Sequence, residues 1–200
     1  VTYASGNVYI SGSFQGTADF DPSAGTANLI SAGNDDIFVA KYNSSGAYQW
    51  AFRVGSSASD VSRAIAYDGS SNVYVTGRLS GTTVDFDPGA GTATLSSAGG
   101  QDIFLAKYSA AAGAYGFAIR MGAGNDDSGD GVAVDGSGNA YVTGRFQNTA
   151  DFDPGAGTAN LVSAGNDDIF LASYTSAGAY RWAFRVGSSN GDEARNVVYS

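Results

Sequence analysis

Asp19-Phe20-Asp21-Pro22 returns as Asp85-Phe86-Asp87-Pro88 and again as Asp151-Phe152-Asp153-Pro154, at a constant step of 66 residues. The same step carries Asp36-Ile37-Phe38 to Asp102-Ile103-Phe104 and Asp168-Ile169-Phe170, which fixes the register of the copies. From Gly16 to Tyr42 against Asn148 to Tyr174, 27 positions hold five differences, so the outer copies are nearly one sequence. One supersecondary unit has been copied in tandem, and whatever the chain does must be present in triplicate. That argues against a single active site.

Outward from these motifs, each unit reads as four strands bounded by Gly, Ser, Asn and Asp turns, with no 3.6-period apolar stretch long enough for a helix. The first strand is expected at Val1 to Tyr3, Ile65 to Tyr67, Val132 to Val134 and Val197 to Tyr199, and the second at Val8 to Ile10, Val73 to Val75 and Ala140 to Val142. An insert containing the Asp-Phe-Asp-Pro turn follows, returning through an apolar tripeptide such as Asn28-Leu29-Ile30. The third strand, Ile37 to Ala40 with its copies Ile103 to Ala106 and Ile169 to Ala172, is apolar on both faces and belongs to an interior. The fourth alternates, with Tyr48, Trp50, Phe52 and Val54 on one face; its copies are Tyr115 to Met121 and Tyr180 to Val186.

A four-stranded sheet patterned this way cannot hide both faces alone and must stack on its neighbours. The predicted fold is therefore all-β, a β-propeller of four-stranded antiparallel blades, in preference to a solenoid or a row of separate sandwiches. The units run 1–64, 65–131 and 132–196, with 197–200 as the first strand of a fourth. Three blades are too few to close a ring, so a partial ring, or one completed by other blades or by copies of the chain, is expected; the isolated chain would self-associate or leave open sheet faces. Val1-Thr2-Tyr3, with neither an initiator Met nor a basic-then-apolar leader, reads as the start of a processed product or an excised piece.

Composition narrows the chemistry. The chain of 200 residues has 19 acidic and 10 basic side chains, a net charge of −9, and neither Cys nor His. Thiol nucleophiles, zinc sites and every triad built on His are excluded, and a basic groove tracking nucleic-acid phosphates is absent. No apolar run approaches the roughly 20 residues that span a bilayer. Eleven of the acidic residues sit in the insert and its return strand. Asp19 and Asp21, Asp85 and Asp87, and Asp151 and Asp153 form three pairs two residues apart, which suits a Ca2+ site in each unit through oxygen ligands. The same Asp-Pro-Gly spacing equally suits a turn, with Asp accepting a backbone N–H and Pro presetting φ. A threefold pair on a rim lacks the asymmetry that glycoside hydrolysis needs. Trp50, Phe117 and Trp182, with Tyr48, Tyr115 and Tyr180, read as packing between units rather than as a sugar-stacking surface, and Arg53, Arg120 and Arg185 as structural partners of the Asp residues.

Gly138 to Gly144 followed by Phe146, Asp-Phe-Asp-Pro-Gly-x-Gly-Thr, Ser-Ala-Gly-x-x-Asp-Ile-Phe-x-Ala-x-Tyr, and a Trp-bearing strand before Arg-Val-Gly together resemble the bacterial β-propeller repeat family abbreviated SBBP. The second unit departs from it at Gly116-Phe117 and Gly100-Gln101-Asp102. The resemblance implies an exported or cell-surface bacterial protein and no enzymatic activity in the repeat itself. The expected function is a non-enzymatic structural or adhesive module that presents loops to proteins, glycans or itself. The alternatives are a calcium-dependent carbohydrate-binding propeller and the non-catalytic propeller of a larger secreted hydrolase.

Overall fold

The computed structural model describes residues 1–4 and 6–200, and the described residues contain strands and turns but no helix. The first unit comprises β1 (Thr2–Ala4), β2 (Asn7–Phe14), β3 (Thr17–Asp19), β4 (Asn28–Ile30), β5 (Asp36–Asn43) and β6 (Tyr48–Val54). The second comprises β7 (Val61–Tyr67), β8 (Asn72–Leu79), β9 (Val84–Asp85), β10 (Thr94–Leu95), β11 (Asp102–Ser109) and β12 (Tyr115–Met121). In the third, β13 (Ser128–Val134), β14 (Ala140–Asp151), β15 (Asn160–Tyr174) and β16 (Tyr180–Val186) follow, the insert hairpin having fused with the long central strands.

Each unit is an antiparallel four-stranded sheet in chain order: β1-β2-β5-β6, β7-β8-β11-β12 and β13-β14-β15-β16. The inserts form a second hairpin between the two central strands, separate as β3-β4 and β9-β10 and continuous in β14-β15. Register is equivalent across units, with Gly12 opposite Phe38, Gly77 opposite Phe104 and Gly144 opposite Phe170. Glycine is required at the first of these, because a Cβ on Gly12 would stand 2.8 Å from the Phe38 ring.

Two cores lie between consecutive sheets. Ile37, Val39 and Val54 of the first sheet pack with Val75, Val84, Phe86, Phe104 and Tyr108 of the second. Ile103, Leu105 and Met121 of the second pack with Val132, Val142, Phe152 and Phe170 of the third. β11 therefore feeds both cores, Phe104 and Ala106 into one and Ile103 and Leu105 into the other, which is why this strand is apolar on both faces. The outer faces have no such cover: Tyr3 is 67% exposed at one end, and Phe184 and Val186 are 46% and 53% exposed at the other.

β7 and β13 begin at Val61 and Ser128, earlier than Ile65 and Val132, the expected starts. Both early segments carry a β-bulge, between Ser62 and Ala64 and between Gly129 and Gly131, and the extra residue breaks the alternation that marks a strand in sequence. Residues 187–200 form no strand, yet Tyr199 stacks on Tyr141 at 5.5 Å and 14°, as Tyr67 of β7 stacks on Tyr9 at 5.9 Å and 8°. The terminal segment thus rests on the third sheet where the second unit's first strand rests on the first sheet.

Candidate functional site

Three sets of side chains recur in every unit: the Asp-Phe-Asp-Pro turn, a buried Asp–Arg pair at the start of the third strand, and an aspartate at the joint between units. The turn is built from its own carboxylates. Oδ1 of Asp19 accepts the N–H of Asp21 at 3.0 Å and of Ala27 at 2.8 Å, and Asp85 and Asp151 repeat both bonds with Asp87 and Ala93 and with Asp153 and Ala159. The N–H of Ala27, then that of Asp21, holds the exposed Asp19 carboxyl below its ordinary pKa. Asp21, Asp87 and Asp153 accept the N–H two residues on, from Ser23, Gly89 and Gly155, in Asx turns. The structure thus gives all six candidate ligands a turn role, and among the described residues no three acidic, His or Cys groups stand together as a metal set.

The phenylalanine between the two carboxylates is the anchor. Phe86 and Phe152 are fully buried, with their rings 5.1 and 4.9 Å from Phe104 and Phe170. Their carbonyls accept the hydroxyls of Tyr108 and Tyr174 at 3.1 and 2.9 Å, and Phe20 receives Tyr42 in the same way at 2.8 Å. Burial pushes the Tyr108 and Tyr174 hydroxyls well above the usual tyrosine range, keeping them as neutral donors. The Asp-Phe-Asp-Pro and Asp-Ile-Phe-x-Ala-x-Tyr motifs are therefore two halves of one fastening, the insert plugged onto the third strand. The insert also reaches backward: the N–H of Gly122, just past β12, donates to the carbonyl of Asp151 at 3.0 Å, and Gly55 bridges Asp85 likewise.

At the start of the third strand, Oδ2 of Asp36, Asp102 and Asp168 takes a guanidinium N–H from Arg53, Arg120 and Arg185 at 2.6, 2.8 and 2.5 Å. It also takes the N–H of Ala32, Ala98 or Ala164. The carboxylates are fully buried and the arginines about one-third exposed. The expected partnership of these arginines with aspartates is present, and Asp36 rather than Asp19 is the partner of Arg53. Oδ1 of each of the three carboxylates is buried with no hydrogen-bond partner.

Asp60, Asp127 and Asp192, the third set, were not singled out from sequence. The N–H of each donates at 2.7 Å to a carbonyl of the preceding sheet, that of Asp35, Gln101 or Asp167. Asp60 Oδ2 accepts the N–H and hydroxyl of Ser56, just past β6 of the first sheet, and Oδ1 accepts the N–H of Ser80, just past β8 of the second. Asp127 does the same with Ala123 and Gln147. One carboxylate thus clamps two sheets. Desolvation, against the opposing bonds from Gln147 and Ala123 and aided by the charges of Asp102 and Asp126, raises the pKa of Asp127 to about 7. The signal that would have found the set is an Asp five residues after Gly55, Gly122 and Gly187.

The aromatic stripe packs between units where a following unit exists. Trp50 donates its indole N–H to the carbonyl of Ala111 at 3.2 Å, and Phe52 lies 4.7 Å from Tyr108. In the third sheet, Trp182 and Phe184 stack on each other at 5.7 Å, with Phe184 open to solvent.

The chain is 26% identical over 175 residues to an uncharacterized WD repeat-containing protein, L264, of Acanthamoeba polyphaga mimivirus; the match covers 82% of this chain and 12% of that protein. Residues 115–145, running from β12 through β13 into β14, match the SBBP beta-propeller repeat. That stretch crosses the joint carrying Asp127 and includes the strands on either side of it, so the similarity to the SBBP beta-propeller repeat falls where two sheets meet.

Proposed function

We propose that the chain is a non-enzymatic structural module, a run of successive propeller blades in an exported bacterial surface protein, whose loops meet proteins, glycans or further blades. The observation that carries this reading is the use of the acidic side chains. Asp19, Asp36 and Asp60 and their copies, the acidic residues that recur in every unit, serve there as turn, strand and joint fasteners. A module assembled by repetition gains surface and reach with each copy, which suits adhesion or scaffolding better than turnover.

Further blades are the natural partner, because the third sheet leaves Phe184 and Val186 uncovered. Asp192 repeats the backward half of the clamp through Asp167 and Ser188. Analytical ultracentrifugation tests this reading: reversible association that Phe184→Glu abolishes supports it, and a monomer at all concentrations with no binding on glycan and protein arrays overturns it. The surface location rests on the resemblance of the repeat; antibody labelling of intact producing cells supports it, and labelling only after lysis refutes it.

A further inference from the structure

The β-bulges of the first strands do more than hide them from pattern reading. The extra residue is Arg63 in β7 and Asp130 in β13, and the corresponding position of the terminal segment, three residues after the joint aspartate, is Arg195. A bulge re-aims its side chain out of the ladder. These three residues, with Ser128, Arg145 and Glu193, line one pocket of about 260 Å³ where the first strands of successive units converge.

The lining has two properties that together define a ligand. None of its lining residues is apolar, and only their aliphatic stems add apolar wall, so a predominantly polar ligand suits it. It is also rich in cations for this chain: Arg63, Arg145 and Arg195 line it and Arg78 stands behind them, which brings four of the ten basic residues of an acidic protein to one place. The Arg78 Nε is buried and has no hydrogen-bond partner. Desolvation, then the neighbouring Arg63 and Arg145, lowers its pKa, with Asp130 and Asp126 opposing. Arg195 is held by Glu193 at 2.5 Å and Arg145 by Asp167 at 3.0 Å, whereas Arg63 approaches Asp130 only to 4.0 Å and is the guanidinium left most open. Crowded guanidiniums beside one another are relieved by an anion, and the fork of Arg suits a carboxylate. Asp130, Glu193 and Ser128 on the same walls supply acceptors, so the remainder of the ligand must bring donors.

We propose that this pocket binds an acidic monosaccharide unit, its carboxylate on Arg63, Arg145 and Arg195 and its hydroxyls on Asp130, Glu193 and Ser128. The assignment does not rest on the structural reading above and stands or falls separately from it. A single carboxylate suits a lining of three arginines against Asp130 and Glu193, whose formal excess is one positive charge, whereas a polyanion would meet the acidic surface of a chain with net charge −9.

The experiment is a titration of the full chain with D-glucuronate at low ionic strength, followed by calorimetry and amide chemical shifts, with D-glucose and inorganic sulfate as controls. Saturable glucuronate binding at least tenfold tighter than either control is expected, with shifts centred on Arg63, Asp130 and Arg145. Arg195→Ala, in a segment outside the packed sheets, is expected to weaken it several-fold with an unchanged melting temperature, and Arg63→Gln with Arg145→Gln to weaken it at least tenfold. Equal binding of sulfate or of glucose, no saturation at millimolar glucuronate, or indifference to Arg195→Ala would each overturn the proposal.

Discussion

Replacing Phe86 by Ala asks whether the inserts depend on the sheet before them. Phe86 is completely buried in the core between the first and second sheets, 5.1 Å from the Phe104 ring and beneath the Tyr108 hydroxyl. Truncating such a ring loses its transfer energy and leaves a cavity, about 3–5 kcal/mol in all. Phe20 makes the same bonds and lies 4.9 Å from Phe38, but its insert has no preceding sheet and its ring is partly exposed. Part of that ring is already hydrated in the folded state, so Phe20→Ala is expected to cost about 1–2 kcal/mol. Phe152, fully buried between the second and third sheets, should follow Phe86. Urea unfolding of the three variants, followed by tryptophan fluorescence, gives the comparison, with equal slopes required before the midpoints are converted to energies. A cost for Phe20→Ala equal to that for Phe86→Ala would refute the argument, because the burial would then come from within each unit.

The other expectations concern the charges and the joints. Arg120→Leu leaves Asp102 buried without its cation and is expected to destabilise by the low end of about 3–5 kcal/mol, since the guanidinium is one-third exposed; thermal melts check it, and Asp102→Asn with Arg120→Leu should recover part of the loss. Asp127, raised to about 7 from an ordinary value of 3.8, binds its proton more tightly folded than unfolded. Its contribution is fully present below the unfolded value of 3.8 and is lost as pH rises to about 7, so Asp127→Asn should flatten the decline in melting temperature across that window. Tyr67→Ala removes a stacked ring between two sheets and should cost more than Tyr199→Ala, whose ring is 57% exposed; equal shifts in melting temperature would contradict this dependence on burial.

Much of the architecture was legible because it is periodic. The fourth strands, Tyr48–Val54, Tyr115–Met121 and Tyr180–Val186, are where their alternation places them, since one face packs and the other does not. The third strand's apolar run signals cover on both faces, which β11 receives from a sheet on each side, while β5 and β15 have a neighbouring sheet on one side only, and the insert was visible as excess length between strands two and three. What escaped lies at the joints. Val61 to Arg63 and Ser128 to Asp130 are short, mostly polar and bulged, the second also containing Gly129, so periodicity does not mark them as strand. Asp60 and Asp127 stand in loops rich in Ser and Gly, where an aspartate is unremarkable until the carbonyl it reaches in the preceding sheet is seen. The turn aspartates illustrate the converse: two carboxylates two residues apart satisfy the spacing of a metal pair and of two successive Asx turns, and the backbone N–H donors that build the turns are invisible in a string of letters.

The joint aspartate gives the chain a direction of growth. Asp60 hooks onto the sheet behind it through Asp35 while binding the sheet ahead through Ser80, and Asp127 does the same through Gln101 and Gln147. The two complete seams are built alike, each from a carboxylate and a carbonyl at equivalent positions, and nothing in that pairing registers how many periods came before. A genetic duplication or loss of one whole period, wherever its endpoints fall, rejoins a carboxylate to an equivalent carbonyl. Length in such an array is therefore free to drift while the fit between neighbours stays constant.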